Sequence, residues 1–205
     1  MLTARQSAKG VKGTLRHEAN RHRALAAMAD AVGEQGYPET TVRDVLERAR
    51  MSRRTFYQLF DNREDCFLAT YDHARSEALA AWLGDGNRPG EPCPRPFASL
   101  LTDILHYLAT KPDFARVLIV EPAAAGALGV ERHERTMLEL AEGLARSRGP
   151  DAAELGPDEL RLRCEASVGA VHRVLAARIV QGRASDLPGM AGELAGLVRA
   201  LAALS

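Results

Sequence analysis

The chain has 205 residues, 46% of them hydrophobic, with 27 basic and 27 acidic residues that give a net charge of zero. This composition suits one or two globular domains with a substantial core and excludes a largely disordered chain. Three scattered cysteines, Cys66, Cys93 and Cys164, argue against a disulfide framework. The sequence lacks both an apolar run of membrane-spanning length and a signal-peptide core, so we expect a cytoplasmic protein.

The charges are unevenly distributed along the chain. Residues 1–60 contain 11 Arg and Lys against 6 Asp and Glu, whereas residues 61–205 contain 16 against 21. The N-terminal part therefore carries a charge of +5 and the remainder −5. Such a division is typical of a DNA-binding segment joined to a body that does not bind DNA.

The first predicted segment is a flexible basic arm over residues 1–15, because two glycines interrupt a stretch with few large apolar side chains. Its positive charge comes from Lys9 and Lys12, and Arg16 follows directly. These side chains would lie along a DNA backbone or enter a minor groove, or they would only add nonspecific charge.

Three helical patterns follow, and we assign residues 16–65 to a helix-turn-helix domain. The first runs from His17 to Gln35 and ends at Gly36, a typical residue after a helix C-terminus. The second begins near Thr41 and the third at Ser52, and both hydroxyls can cap their helices. A third helix held at a fixed angle by the second can enter a DNA major groove.

Six more helical patterns lie beyond this domain, so the chain is predicted to be all-α with about nine helices. A Pro- and Gly-rich break at residues 84–96 follows the fourth helix, residues 64–83. We assign residues 66–205 to an effector-binding and dimerisation domain. Its later helices are predicted over residues 97–109, 112–122, 130–148, 158–181 and 185–204.

The helix-turn-helix segment contains a recognisable motif. In order, it reads Gly36-Tyr37, Thr40-Thr41-Val42-Arg43-Asp44-Val45, Ser52-x-x-Thr55-Phe56-Tyr57-x-x-Phe60 and Arg63-Glu64-Asp65. This resembles the N-terminal domain of the TetR (tetracycline-repressor-like) family of bacterial transcriptional regulators. The resemblance covers residues 17–70, and the later helices agree in number and order with the ligand-binding body of that family.

The chain departs from the family pattern at two positions. The family usually has glycine in the turn before the third helix, where this chain has Arg50. An unchanged turn would hold Arg50 at a positive backbone angle, at a cost on the order of 1 kcal/mol. The family also often has a small residue at the position of Arg54, and we expect Arg54 to add a base or phosphate contact instead.

The resemblance and the side-chain chemistry predict a set of DNA contacts. Arginines in the first turn of the third helix can pair with guanine, and the Thr, Tyr and Gln side chains beside them reach bases or phosphates. Polar residues at the helix starts and flanks would hold phosphates. The predicted set is Thr41, Arg43, Ser52, Arg53, Arg54, Thr55, Tyr57, Gln58 and Arg63.

A homodimer is expected, because one helix-turn-helix covers too little DNA for operator-grade affinity. The family dimerises through its last two helices, and here small residues such as Gly169, Gly192 and Gly196 would permit close approach. The predicted interface residues are Val171, Val174, Leu175, Ile179, Leu194, Leu197, Val198 and Leu201. The same stripes are also consistent with core packing inside one chain.

The family also implies an effector pocket between residues 97 and 175. Two polar residues in this region stand out, because Glu121 would favour a cation or a hydrogen-bond donor and His172 lies on an apolar helix face. Either is also consistent with an ordinary structural role. The predicted pocket residues are Phe97, Leu101, Leu105, Phe114, Val117, Leu118, Glu121, Met137, Leu140, Val168 and His172.

These features predict a ligand-responsive repressor whose dimer binds a palindromic double-stranded DNA operator and is released by a small-molecule effector. An activator of the same fold, or a regulator that needs its ligand to bind DNA, is the alternative. An enzyme is a weaker hypothesis, because the sequence lacks a nucleophile elbow, an HExxH motif and a phosphate-binding glycine loop. A helical interaction protein is also a weaker hypothesis. We expect no metal, no cofactor and no membrane partner.

Overall fold

The structure is a computed structural model. It describes the backbone of residues 2–83, 97–146 and 156–203, and the side chains of residues 14–81, 98–146 and 156–201. Within these ranges all regular secondary structure is helical, which confirms the predicted fold class. The α-helices are α1 (Leu2–Gln35), α2 (Val42–Ala49), α3 (Arg53–Tyr57), α4 (Arg63–Leu83), α5 (Phe97–Thr110), α6 (Pro112–Ile119), α7 (Ala127–Arg146), α8 (Pro157–Val180) and α9 (Ala191–Ala203).

Helix α1 begins much earlier than the sequence predicted. Residues 2–15 belong to this helix, whereas the first helix was predicted to begin at residue 17, and the assignment of residues 1–15 to a flexible arm stays a prediction. Two glycines in this stretch cost about 1 kcal/mol each relative to alanine, but Ala, Arg, Gln, Leu and Lys around them are good helix formers. The side chains of Lys9 and Lys12 lie outside the described residues, and Arg16 is exposed.

Both short helices of the helix-turn-helix begin with the caps that the sequence indicated. The Thr41 hydroxyl accepts the N–H of Asp44 at 3.3 Å, and the Asp44 carboxylate accepts the N–H of Thr41 at 2.8 Å. This reciprocal arrangement is a capping box. The Ser52 hydroxyl accepts the N–H of Thr55 at 3.1 Å. The starts of α2 and α3 are therefore fixed by local hydrogen bonds.

The turn between α2 and α3 has the strained geometry that an unchanged turn demands. Arg50 has φ 48° and ψ 51°, in the left-handed region. It is the one residue other than glycine with a positive φ among those described. Its N–H still reaches the carbonyl of Glu47 at 3.3 Å. The turn thus carries the backbone cost expected for an arginine in this region.

One hydrophobic core continues from the helix-turn-helix into the body. Met28 of α1, Phe56 of α3 and Phe67 and Tyr71 of α4 are all buried in it, together with Leu105 of α5. Packing therefore does not break at residue 65, where we placed a domain boundary. The division of the chain into an arm (residues 1–15), a helix-turn-helix head (16–65) and a body (66–205) stays a prediction.

The C-terminal pattern is divided into two elements. A 3₁₀ helix, Ala184–Met190, precedes α9 where one continuous helix was predicted from residue 185. Pro188 lies within it and lacks the N–H that an α-helix would use. A second 3₁₀ helix, Pro122–Ala125, separates α6 from α7.

The predicted break at residues 84–96 lies outside the described residues. None of the described helices has the length and apolarity needed to span a bilayer.

Candidate nucleic-acid interface and ligand cavity

The outer face of α3 and the residue after it present four polar side chains to solvent: Arg53, Arg54, Tyr57 and Gln58. Tyr57 is 51% exposed, while Phe56 on the opposite side is fully buried and anchors the helix. None of the four side chains forms an ion pair or hydrogen bond with the described part of the chain. Free donors on a rigidly anchored helix are suited to reading base edges.

Four other members of the predicted DNA set have local partners. The hydroxyls of Ser52 and Thr55 lie 2.9 Å apart at the start of α3, and the Thr41 hydroxyl donates to Asp44 at 2.6 Å. Arg43 pairs with Glu47 at 2.7 Å, although its side chain is 80% exposed. The hydrogen bonds from Thr41 lower the pKa of Asp44 and keep this carboxylate charged. These side chains therefore shape the helix starts before any DNA is present.

Arg63 has a different environment from the one predicted. Its Nη1 donates to the carbonyl oxygen of Thr40 at 2.6 Å and to those of Tyr37 and Pro38 at 3.4 and 3.3 Å. Its guanidinium also lies 4.3 Å from the centre of the Tyr37 ring. Arg63 thus fastens the loop between α1 and α2 to the start of α4. A phosphate contact would depend on its other nitrogen atoms.

A cavity of about 90 Å³ lies in the body, between α4, α5, α7 and α8, with contributions from α6 and α9. Its wall is almost entirely carbon. Six predicted pocket residues line it: Leu101, Leu118, Met137, Leu140, Val168 and His172. The described structure therefore brings together side chains from four separate predicted helices.

Four other pocket assignments are corrected. Leu105, Phe114, Val117 and Glu121 do not line this cavity. Leu105 and Val117 are buried in the main core, Phe114 packs against it, and Glu121 pairs with Arg116. The side chain of Phe97 lies outside the described residues. The sequence analysis missed several lining residues, notably Tyr71, Arg75, His133 and Thr136.

The polar side chains in the cavity wall mostly have partners. The Tyr71 hydroxyl donates to the Thr136 hydroxyl at 2.9 Å, and Thr136 donates to the carbonyl of Arg132 at 2.9 Å. Ser167 donates to the carbonyl of Arg163 at 2.7 Å. Burial raises the pKa of Tyr71, which keeps its proton. The hydroxyl hydrogens are therefore already committed within the protein.

The guanidinium of Arg75 is also engaged, in an ion pair with the carboxylate of Glu139 on α7. Arg75 is the one charged side chain among the described lining residues. Since its charge has a partner, the cavity offers no free charge to a ligand.

Two histidines form an exception in this wall. The rings of His133 and His172 lie 4.8 Å apart between centroids. The Nε2 atom of His172 lies 3.2 Å from the carbonyl oxygen of Ile119 and must carry the hydrogen, because a carbonyl only accepts. The Nδ1 atom of His133 is buried and has no hydrogen-bond partner among the described residues.

Burial determines the charge of this pair. Burial lowers the pKa of His172. It also lowers the pKa of His133, and the neighbouring His172 ring adds to that effect. Both imidazoles are therefore neutral at pH 7 and each has one donor and one acceptor nitrogen.

Glu121 joins the body to the helix-turn-helix instead of lining the cavity. Glu121 is 6% exposed. Its carboxylate accepts hydrogen bonds from the backbone N–H of Tyr37 at 3.2 Å and from the Nε–H of Arg116 at 2.8 Å. A buried carboxylate is stable when it is paired and hydrogen-bonded in this way. Tyr37 lies in the loop that leads into α2, so Glu121 fixes the position of that loop on the body.

The predicted dimer residues mostly face the interior of their own chain. Val171, Leu175 and Val198 line the cavity, Ile179 and Leu194 are buried, and Val174 is half-buried against the core, so these assignments are corrected. The apolar faces of α8 and α9 that these residues form pack mainly against other helices of the same chain. Of the predicted set, Leu197 and Leu201 reach the surface.

The outer face of α8 and α9 nevertheless has unusual surface residues. Leu162 and Val180 on α8 are 66% and 62% exposed, and Leu197 on α9 is 38% exposed. A Cβ atom added at Gly169 or at Gly192 would meet nothing within 4 Å. Packing within the chain therefore does not explain why these positions are glycine.

Comparison with known proteins agrees with this architecture. Residues 24–70 match the family model described as bacterial regulatory proteins, tetR family. No curated protein matches the chain. The matched segment contains α2, α3 and the start of α4, so it coincides with the exposed polar helix and its supports.

Several solved structures have the same fold over nearly the whole chain. A TetR-family regulatory protein from Rhodococcus RHA1 has a TM-score of 0.69 at 19% identity, covering 91% of this chain and 98% of its own. The fatty acid degradation regulator FadR from Bacillus halodurans has a TM-score of 0.67 at 18% identity, covering 87% and 93%. The dihydroxyacetone kinase operon activator DhaS has a TM-score of 0.60 at 17% identity, covering 88% and 94%. At these identities the likeness concerns the fold alone.

Proposed function

We propose that this chain is a repressor of the TetR family whose dimer binds a palindromic operator. A small molecule that fills the cavity would release it from DNA. The observation that carries the proposal is the outer face of α3. There the side chains of Arg53, Arg54, Tyr57 and Gln58 are exposed and make no hydrogen bond or ion pair within the described chain. The segment that holds them matches the family model.

The DNA-reading surface follows from the position of each side chain. Arg53 and Arg54 occupy the first turn of α3 and would meet base edges, where arginine binds guanine through two hydrogen bonds. Tyr57 and Gln58 would extend this contact. Thr41, Arg43, Ser52 and Thr55 would bind phosphates from the exposed starts of α2 and α3. The +5 charge of residues 1–60 would add sequence-independent attraction.

A dimer would form through the outer face of α8 and α9. The exposed Leu162, Val180 and Leu197 supply apolar area, and the open space at Gly169 and Gly192 admits a close partner helix. Two-fold symmetry would place the two copies of α3 in successive major grooves of a palindrome.

The cavity and the DNA-reading surface are connected by two routes. The first is α4, which begins at Arg63 beside the head and carries Tyr71 and Arg75 into the cavity wall. The second is the end of α6. There the carbonyl of Ile119 accepts a hydrogen bond from His172, and the carboxylate of Glu121 accepts one from the backbone N–H of Tyr37. A ligand that shifts either route by a coupling energy of about 1–3 kcal/mol would change DNA affinity by roughly 5- to 150-fold.

Activation is the second candidate function. DhaS, whose structure has this fold, is described as an operon activator. The two functions differ in transcription from the bound promoter. A repressor lowers it until the ligand is added, whereas an activator raises it.

The test is a footprint of operator DNA with the double variant Arg54→Ala/Tyr57→Ala. Both side chains are exposed and make no hydrogen bond or ion pair within the described chain, so their removal should abolish operator protection and leave the fold and the dimer intact. The matched control is Arg135→Ala on α7, which removes an exposed arginine far from α3 along the chain and should keep full protection. Protection retained by the double variant would refute this placement of the DNA-reading surface.

A further inference from the structure

We propose that the cavity takes an uncharged, largely apolar molecule that carries a hydroxyl or amide group, and that His133 and His172 bind this polar group. The inference deepens the proposed function and rests on it where ligand binding is linked to DNA release. The ligand class itself follows from the chemistry of the cavity wall.

The wall selects for an apolar ligand body. Leu101, Leu118, Met137, Leu140 and Val168 come from four helices and present carbon to the interior. A cavity of about 90 Å³ with such a lining is poorly hydrated and favours apolar groups by the hydrophobic effect.

The histidine pair supplies the polar anchor. The buried Nδ1 atom of His133 has no partner in the described structure, and leaving a buried polar atom unpaired costs free energy. A ligand hydroxyl or amide N–H removes this cost by donating to Nδ1, which is an acceptor because the other ring nitrogen of His133 donates to the backbone of Leu118. His172 lies beside it, and its Nδ1 is an acceptor because its Nε2–H faces Ile119.

The same wall disfavours a charged ligand. Arg75 is the one charged lining residue described, and Glu139 neutralises it. The hydroxyls of Thr136 and Ser167 already donate to backbone carbonyls, and both histidines are neutral. A carboxylate would lose its hydration without gaining a free cation or a new donor hydrogen, which is costly. An ammonium ion would likewise meet no free carboxylate.

Three probes share a six-carbon chain and differ in their polar group: 1-hexanol, hexane and hexanoate. Calorimetry on the full chain at pH 7.5 would measure the affinity of each and so compare a hydroxyl, no polar group and a carboxylate. We expect hexanol to bind about tenfold more tightly than hexane, the effect of one buried hydrogen bond, and hexanoate to bind more weakly than hexanol by at least that factor. Equal or tighter binding of hexanoate would overturn the proposal, and so would failure of all three probes to bind.

The variant His133→Phe removes the anchor and keeps a flat ring. Hexanol affinity should fall about tenfold, to the level of hexane, while hexane affinity is unchanged. The matched control is His106→Phe on the exposed side of α5, which should leave both affinities as they are. If His133→Phe melts at a much lower temperature, His133→Asn replaces it and should retain most of the preference for hexanol. A preference unaffected by His133→Phe would refute the anchor.

Operator binding distinguishes failure of the ligand class from failure of the proposed function. Hexanol that binds the protein without weakening the operator complex would contradict release by the ligand but leave the ligand class intact. Release of the operator by hexanoate and not by hexanol would overturn the ligand class and support the repressor function.

Discussion

At the scale of single residues, the turn before α3 contains an arginine where the backbone favours glycine. Arg50 adopts φ 48° and ψ 51°. An ordinary residue in this region costs about 1–2 kcal/mol, and glycine avoids most of that cost. The side chain of Arg50 makes no hydrogen bond or ion pair within the described chain that would offset it, so the strain should be measurable.

The substitution Arg50→Gly should therefore raise the free energy of unfolding. We expect a gain of about 0.5–1 kcal/mol, because relief of strain is partly offset by the greater freedom of glycine in the unfolded chain. Urea denaturation measures this. Arg43→Gly is the control, since Arg43 lies within α2 and glycine there should cost about 1 kcal/mol. A loss at position 50 equal to that at position 43 would contradict the strain.

Glu121 is the residue whose removal should most disturb the link between head and body. In Glu121→Ala the half-buried Arg116 loses its partner and the N–H of Tyr37 loses its acceptor. We expect a loss of about 2–4 kcal/mol in urea denaturation. Glu131→Ala, which removes an exposed ion pair with Arg135, should cost less than about 1 kcal/mol. Equal losses in the two variants would show that Glu121 has no special part in stability.

Some residue roles were readable from the sequence and others were not. The caps at Thr41 and Ser52 depend on residues three positions away, so a local pattern suffices to predict them. His133 lies in the polar sequence Glu-Arg-His-Glu-Arg, which resembles a solvated helix face. Its role depends on His172, a residue distant in sequence. The same holds for Glu121, whose partner Tyr37 comes from another helix-loop unit.

At the scale of helices, periodicity identified the elements but not what covers their apolar faces. The stripes of α8 and α9 were assigned to a dimer interface, yet Leu175, Ile179 and Leu194 pack within the chain. Amphipathic spacing indicates which face of a helix is buried, but it does not show whether the surface that covers this face belongs to the same chain or to a second copy. The same ambiguity hid the contribution of α4 to the cavity.

The outer face of α8 and α9 should control the oligomeric state. In the proposed dimer, Leu197→Glu would place a charge between two apolar helix surfaces. The dissociation constant should therefore rise at least about a hundredfold relative to that of the unaltered protein. Analytical ultracentrifugation measures the dissociation constant. Leu138→Glu on the exposed face of α7, where leucine is 43% exposed, is the matched control. An unchanged dimer in Leu197→Glu would place the interface elsewhere.

At the scale of the whole molecule, partly buried histidines should make stability depend on pH. Burial lowers the pKa of His73, although Glu77 opposes this, and it also lowers the pKa of His133 and His172. Each group has an ordinary value of 6.5, so the unfolded chain takes up protons first as the pH falls. Stability is therefore fully present well above pH 6.5 and declines below it.

Unfolding in urea at pH 8, 7 and 6 should show this decline. The double variant His133→Phe/His172→Phe should have a shallower pH dependence than the unaltered chain, because two of the three groups no longer titrate. His106→Phe on the exposed side of α5 should follow the unaltered chain. Stability that rises between pH 8 and pH 6 would contradict the direction of the pKa changes.

The central claim is that the dimer reads a palindromic operator with α3, and selection from random duplex DNA at a stated salt concentration tests it most directly. We expect an enriched palindrome whose half-sites are about one helical turn, or a multiple of it, apart. The Arg54→Ala/Tyr57→Ala variant should fail to enrich it. Recovery of unrelated sequences held only by salt-sensitive contacts, or of a single unpaired half-site, would contradict a dimeric operator-binding protein.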